Sequence, residues 1–193
     1  MRVWEVLITA LVAFLVTWPV LAEEKDKRLV RMERGETVVS ASKTKKGYKK
    51  FKMMAILKAK PETVWKIISD CDKYEKTMTK LKSAKLVKKL GKNKFLCETV
   101  VDTPFPLKDL RAVTEATHTI RPGKEWKRAW KLVEGDYKVN KGSWTLKPYE
   151  GGKTLVIYKN IAEPTIDIPQ AIQDRARKKT LPGLIAHLRK QVE

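Results

Sequence analysis

The stretch that decides the fold is Ile168–Val192, IPQAIQDRARKKTLPGLIAHLRKQV. Leu181, Leu184, Ile185, Leu188 and Val192 recur at helical spacing and form one apolar stripe, while Ile168, Ala171 and Ile172 form another. At about 100° per residue the two stripes do not line up. Pro182 predicts a kink between them. Extended backward, the later stripe passes through Asp174, Arg177 and Lys178; extended forward, the earlier one meets Arg175 and Lys179. Charge therefore approaches the inward face of one long helix at its middle. Two readings stand: the long side chains snorkel to the rim, or Asp174, Arg175 and Arg177 meet a bound molecule.

What precedes this helix reads almost entirely as strands. Lys50–Lys58 (KFKMMAILK) is a first long strand, with Glu36–Ser42 leading into it. Pro61 opens a helix, since proline is tolerated at the first helical position, and Glu62 suits the first turn. Val64, Trp65 and Ile68 share its apolar face. That helix ends near Asp70, and Tyr74–Met78 makes a second, short one. Six strand-like segments follow, at Ser83–Lys89, Lys94–Asp102, Leu110–Ile120, Trp126–Val133, Lys141–Lys147 and Thr154–Ile161. Gly91, Pro122-Gly123, Gly135-Asp136 and Gly151-Gly152 provide turns between them. Short links between successive strands predict an antiparallel sheet. The expectation is an α+β fold, a curved sheet of six to seven strands closed by the C-terminal helix over an apolar hollow.

The N-terminus stands apart. Arg2 precedes Val6–Ala22, an uncharged apolar run, which gives way to Glu23-Glu24-Lys25 with Val20 and Ala22 small before the break. This is the pattern of a secretory signal peptide over residues 1–22; the alternative is an uncleaved membrane anchor, for which the run is somewhat short. Residues 23–35 form a highly charged segment expected to be loosely ordered, and 36–193 form one domain. Cys71 and Cys97 are too few for a disulfide framework. They could pair after export, but two separate buried thiols is the expectation, because one ends a helix and the other lies mid-strand.

The net charge of +20 favours anionic partners. For an exported chain these are lipid headgroups, each well-placed cation contributing about 1 kcal/mol at the surface; nucleic acid is not expected. The lysines are spread along the chain, so a merely solvated basic surface remains open.

Within these elements, four motifs carry a resemblance. They are Pro61-Glu62-x-Val64-Trp65 with Asp72 and Tyr74 behind it; Pro104-Phe105-Pro106-Leu107-Lys108-Asp109; Gly142-Ser143-Trp144-Thr145-Leu146-Lys147-Pro148; and Ile168-Pro169 followed by Arg175-Ala176 and Leu181-Pro182. In this order the chain resembles the START-like (SRPBCC) superfamily of Bet v 1, polyketide cyclase and coenzyme Q-binding domains, over about residues 36–192. The resemblance implies a helix-grip fold with an internal hydrophobic tunnel. It also implies a hydrophobic ligand: a lipid, a sterol-like molecule, a quinone or an aromatic polyketide. Fold alone does not fix the activity.

Strand alternation puts Trp126, Arg128, Trp130 and Leu132 on one face, taken as inward. Arg128 is the odd member. Either it anchors a ligand headgroup with its planar fork of donors, or it forms a structural ion pair with Asp174 or Glu115. Trp144 with Leu146, and Val156 with Tyr158, follow the same alternation as core or tunnel wall. The loop carrying Pro104, Phe105, Pro106, Leu107 and Lys108 either dips into a lipid interface and gates the tunnel, or is a rigid turn whose Phe105 folds back over the core. Asp109 and Arg111 are expected to tie it down.

Catalytic groups are sparse. The two histidines, His118 and His187, are far apart in sequence, no metal-ligand spacing occurs, and no glycine-rich loop would hold phosphate. No catalytic residue, metal or cofactor is expected. The expected function is an exported, monomeric binder of a hydrophobic ligand that transfers lipid at or between membranes. The alternatives are a small cavity enzyme of cyclase type, using Arg128, Asp174 and Tyr158, and a basic-surface adaptor.

Overall fold

The computed structural model describes residues 27–193, apart from the side chain of Arg177. The expected leader at 1–22 lies outside the described residues. Among those described, no helix is long and apolar enough to cross a membrane.

Residues 27–33 form a helix, α1, rather than a loose charged segment. Its Met32 is buried against Val38 and Ile56, which gives this short helix an apolar anchor among its charges. The strands follow as β1 (Val38–Lys43) and β2 (Lys49–Leu57), then α2 (Pro61–Ile68), a 3-10 turn (Cys71–Lys73) and α3 (Tyr74–Thr77). Next come β3 (Leu81–Gly91), β4 (Lys94–Val101), β5 (Leu110–Arg121), β6 (Glu125–Gly135), β7 (Tyr137–Tyr149) and β8 (Lys153–Pro164). The chain ends with α4 (Gln170–Arg175), a π-helical turn (Ala176–Thr180) and α5 (Leu181–Val192).

All eight strands join one antiparallel sheet in the order β1-β2-β8-β7-β6-β5-β4-β3. The sheet has eight strands, not six to seven, because the first expected strand is a hairpin of two, turning through Gly47 at φ 82. Gly135 makes a second glycine-dependent turn, at φ 134; a Cβ there would lie 2.3 Å from the carbonyl oxygen of Arg111.

The sheet's inner face is continuous with the main core. Met53, Ala55 and Leu57 of β2, Trp144 and Leu146 of β7 and Val156 of β8 pack with Val64 and Ile68 of α2 and with Ile185 and Leu188 of α5. Fully burying an aliphatic side chain of this kind contributes about 1.5–3 kcal/mol. The last residue secures α5: Glu193 accepts a hydrogen bond from the Lys58 backbone N–H at 2.8 Å and pairs with Arg189 at 3.4 Å.

The misaligned stripes are accommodated by the π turn. An extra residue in one turn rotates the later stripe relative to the earlier, and it comes just before Pro182, which has no N–H to continue the regular ladder. The chain keeps its helical course from Gln170 to Val192 through this wide turn.

Cys71 and Cys97 form a disulfide, with Cα atoms 6.4 Å apart, in place of the two separate thiols expected. The 3-10 turn after α2 folds directly onto the inner face of β4, and both residues are buried there. Asp70 caps that turn by accepting from the Asp72 N–H at 3.2 Å, and the Tyr74 hydroxyl donates to the Ile68 carbonyl.

Candidate functional site

Between the sheet and the C-terminal helix lie two adjoining chambers. The smaller, about 220 Å³, is walled by Arg128, Trp130, Trp144, Tyr158, Tyr74 and Met78, among others. The larger, about 600 Å³, lies beneath α4 and the π turn, with Phe51, Leu110, Ile166, Ile172 and Leu181 as apolar wall. Val101, Tyr137, Asn160 and Ala162 border both. This size suits a ligand of drug-like or lipid dimensions.

Alternation along β6, β7 and β8 creates the smaller chamber. Arg128 faces Trp144 across β6–β7, and Trp144 faces Tyr158 across β7–β8. The Trp144 and Tyr158 rings lie 4.5 Å apart and the Trp130 and Tyr158 rings 5.9 Å apart. Trp130 donates its indole N–H to Asn140 Oδ1 at 3.0 Å. Burial raises the Tyr158 and Tyr74 hydroxyls above the usual phenol range, and burial followed by nearby Asp136 pushes Tyr137 up to about 12.

Arg128 is 3% exposed and has no carboxylate partner among the described residues. The expected ion pair is not made. Glu115 lies on the outer face of β5 and pairs with Lys131 at 3.3 Å and Lys94 at 3.9 Å, whereas Asp174 borders the larger chamber. Arg128 Nη2 reaches the Cys97 sulfur at 3.4 Å, its guanidinium lies 5.3 Å from the Tyr74 ring centroid, and its Nε has no partner. Opposite it across β5–β6 stands His118, packed between Trp65 and Phe95. Burial, then the Arg128 charge, push that imidazole down to about 4, so it is neutral at ordinary pH.

The expected residues therefore separate. Arg128, Trp130, Trp144 and Tyr158 come together around the smaller chamber; Asp174 borders the larger one; Arg175 is exposed and borders neither. Trp126 packs in the core away from both chambers. The Arg177 side chain is outside the description. Sequence reasoning missed Tyr74, Thr114, Tyr137, Asn140 and Asn160 in the wall. Extending the alternation from Trp144 back to Asn140, and from Tyr158 on to Asn160, would have found two of them.

The loop between β4 and β5 stands at the rim of the larger chamber, since Val101 and Leu110, the residues at its two ends, border that space. Its Phe105 is 95% exposed and does not fold back over the core. Pro104, Pro106 and Lys108 are exposed beside it and Leu107 is half-buried. The base is tied down as expected. Asp109 binds Lys82 at 2.7 Å and accepts from the Thr103 N–H at 3.3 Å, while Arg111 bridges Glu98 and Glu134 at 2.7 and 2.6 Å.

The helix covering the larger chamber is lightly held. No residue of α4 is buried, and Lys49 of β2 donates across to Gln173. In contrast, α5 buries Ile185 and Leu188 completely. The sheet's outer face near this end is basic: Lys52 lies opposite Lys159, and burial together with Lys159, Arg28 and Lys50 lowers its pKa. Among the described residues no His/Cys/Asp/Glu cluster could hold a metal ion.

The same architecture occurs in solved structures. A STAR-related lipid transfer protein from Xanthomonas axonopodis is 20% identical, with 80% of this chain and 92% of that one covered at a TM-score of 0.69. Human StAR-related lipid transfer protein 5 is 14% identical over 90% and 95%, at 0.69. A START superfamily protein from Mycobacterium smegmatis is 15% identical over 74% and 96%, at 0.60. At these identities the likeness is one of fold. No curated protein matches the chain. Residues 57–189, which run from the end of β2 into α5 and include the smaller chamber's wall, match the family model described as polyketide cyclase / dehydrase and lipid transport. The chain belongs to this START-like family.

Proposed function

We propose that this protein is an exported carrier of a hydrophobic ligand, a membrane lipid, which it exchanges with anionic bilayers. The observation that carries this reading is a hollow of about 600 Å³ beneath a helix segment with no buried residue, its wall apolar at Phe51, Leu110, Ile166, Ile172 and Leu181 and charged at Lys43, Lys138, Glu163 and Asp167. Relative to water, each methylene buried there is worth about 0.8 kcal/mol, but little relative to a bilayer, so uptake and release are nearly balanced. Phe105 supplies an exposed apolar wedge at the chamber rim beside Lys108. The charge of +20 draws the domain to anionic headgroups. Opening then lifts α4, breaking its Lys49–Gln173 hydrogen bond, while α5 stays packed. Export is supported by the N-terminal pattern and by the Cys71–Cys97 disulfide, a bond that persists in oxidising compartments.

The test is transfer of pyrene-labelled phosphatidylglycerol and phosphatidylcholine between vesicles. The protein should accelerate transfer when the vesicles contain anionic lipid, and added salt should weaken the effect. Phe105→Ser should slow transfer while leaving stability within about 0.5 kcal/mol, because the residue is exposed. Unchanged transfer rates with and without the protein would refute the reading.

A further inference from the structure

Arg128 carries a charge that its own protein does not neutralise. It is nine-tenths buried and more, its Nε lacks a partner, and its guanidinium meets a disulfide sulfur and the face of a tyrosine ring. The chamber wall contains no aspartate or glutamate. The surrounding groups that could become charged stay neutral: burial holds the Tyr74, Tyr137 and Tyr158 hydroxyls protonated and His118 unprotonated. An isolated buried cation is costly unless something pairs with it. What remains in the wall is neutral hydrogen-bonding capacity from Thr114, Asn140 and Asn160, the last with an unpartnered Oδ1 of its own.

We propose that Arg128 is the headgroup site for an acidic amphiphile, whose anionic oxygens accept from the guanidinium in the smaller chamber while its hydrocarbon chain runs into the larger one. The inference rests on the ligand-carrier reading and adds the ligand's charge class. A guanidinium presents a planar fork of donors matched to a carboxylate or a phosphate. The two chambers share Val101, Tyr137, Asn160 and Ala162 in their walls, so they lie side by side, with room for the head in one and the tail in the other. An uncharged alcohol, sterol or quinone would leave the cation unpaired and is disfavoured. Asn160, bordering both chambers, stands where the head joins the tail and offers it a further hydrogen bond.

Displacement of a fluorescent fatty acid from delipidated protein tests this with three ligands of equal chain length: palmitic acid, hexadecyl phosphate and hexadecanol. In the wild type, at least one of the two acidic ligands should bind about tenfold or more tighter than the alcohol, a difference of about 1.4 kcal/mol. Whichever acid binds more tightly identifies the head as carboxylate or phosphate. Arg128→Gln should bring all three within about threefold of one another, and Arg128→Lys, which keeps the charge but not the fork, should fall between. Should the variants fail to fold, the wild-type comparison decides alone. Equal affinities for all three ligands would overturn the headgroup assignment and leave the carrier reading standing. Failure to bind any of them, or phosphatidylglycerol, would overturn the carrier reading itself.

Discussion

Breaking the Cys71–Cys97 bond should loosen the protein by a calculable amount. The bond joins residues separated by 26 positions, linking the turn after α2 to the middle of β4. In the chain-entropy treatment, closing a loop of this length removes about 12 cal/mol/K from the unfolded ensemble, or about 3.5 kcal/mol at 25 °C. For a domain of this size each kcal/mol shifts Tm by about 2–4 °C, so reduction should lower Tm by about 7–14 °C. The assay is guanidinium and thermal unfolding of the same chain, oxidised and after reduction under denaturing conditions with refolding in reductant. Using one sequence avoids the cavities that Cys71→Ala and Cys97→Ala would leave in a packed region. The reduced protein should also bind ligand less tightly, because Cys97 forms part of the wall beside Arg128. Superimposable unfolding curves with and without reductant would refute the reasoning, showing that the sulfurs do not constrain the chain.

Arg128→Met should raise the stability of ligand-free protein, on the order of 2 kcal/mol by denaturant unfolding, because it replaces an unpaired buried charge with an apolar side chain of similar length. A loss of stability would mean the guanidinium is satisfied in the folded protein. Gly142→Ala should cost about 1–3 kcal/mol and change the near-ultraviolet circular dichroism of Trp130, since a Cβ there would lie 2.4 Å from the Trp130 ring and 2.3 Å from the Lys159 carbonyl oxygen. His118 is held neutral down to about pH 4, against about 6.5 when exposed, so the unfolded chain binds a proton that the native one refuses. Stability should therefore fall as pH drops from about 6.5 to about 4, and His118→Phe should flatten that slope in urea titrations.

Much of this was readable in the sequence because it is local. Alternation placed Arg128 with Trp130 inward, proline and glutamate marked the start of α2, and the glycine turns separated β3 to β8. The stripes of Ile168–Val192 were out of phase in the sequence for the reason the structure supplies, an extra residue in the turn at Ala176–Thr180. The β1–β2 hairpin was missed because Gly47 is the only turn former in a run of lysines. The disulfide was missed because it depends on how α2 and its following turn seat on β4, a long-range contact that no local pattern encodes. Glu115 was misjudged as a partner for Arg128, although its own strand puts it on the opposite face from Ala116, which packs inward. The chamber's neutral lining was hidden for a different reason: asparagine and threonine on a strand look like surface until the neighbouring strands are placed.

The central claim is that a lipid fills the space between the sheet and the C-terminal helix. It is tested most directly by isolating the protein from its own host without detergent, extracting it with organic solvent and identifying what is released by mass spectrometry. A near-stoichiometric amphiphile carrying an acidic head is expected, displaced when the chamber is narrowed by Ala162→Trp, at a residue bordering both chambers. A protein that releases no amphiphile, and takes none up when incubated with host membranes, would contradict it.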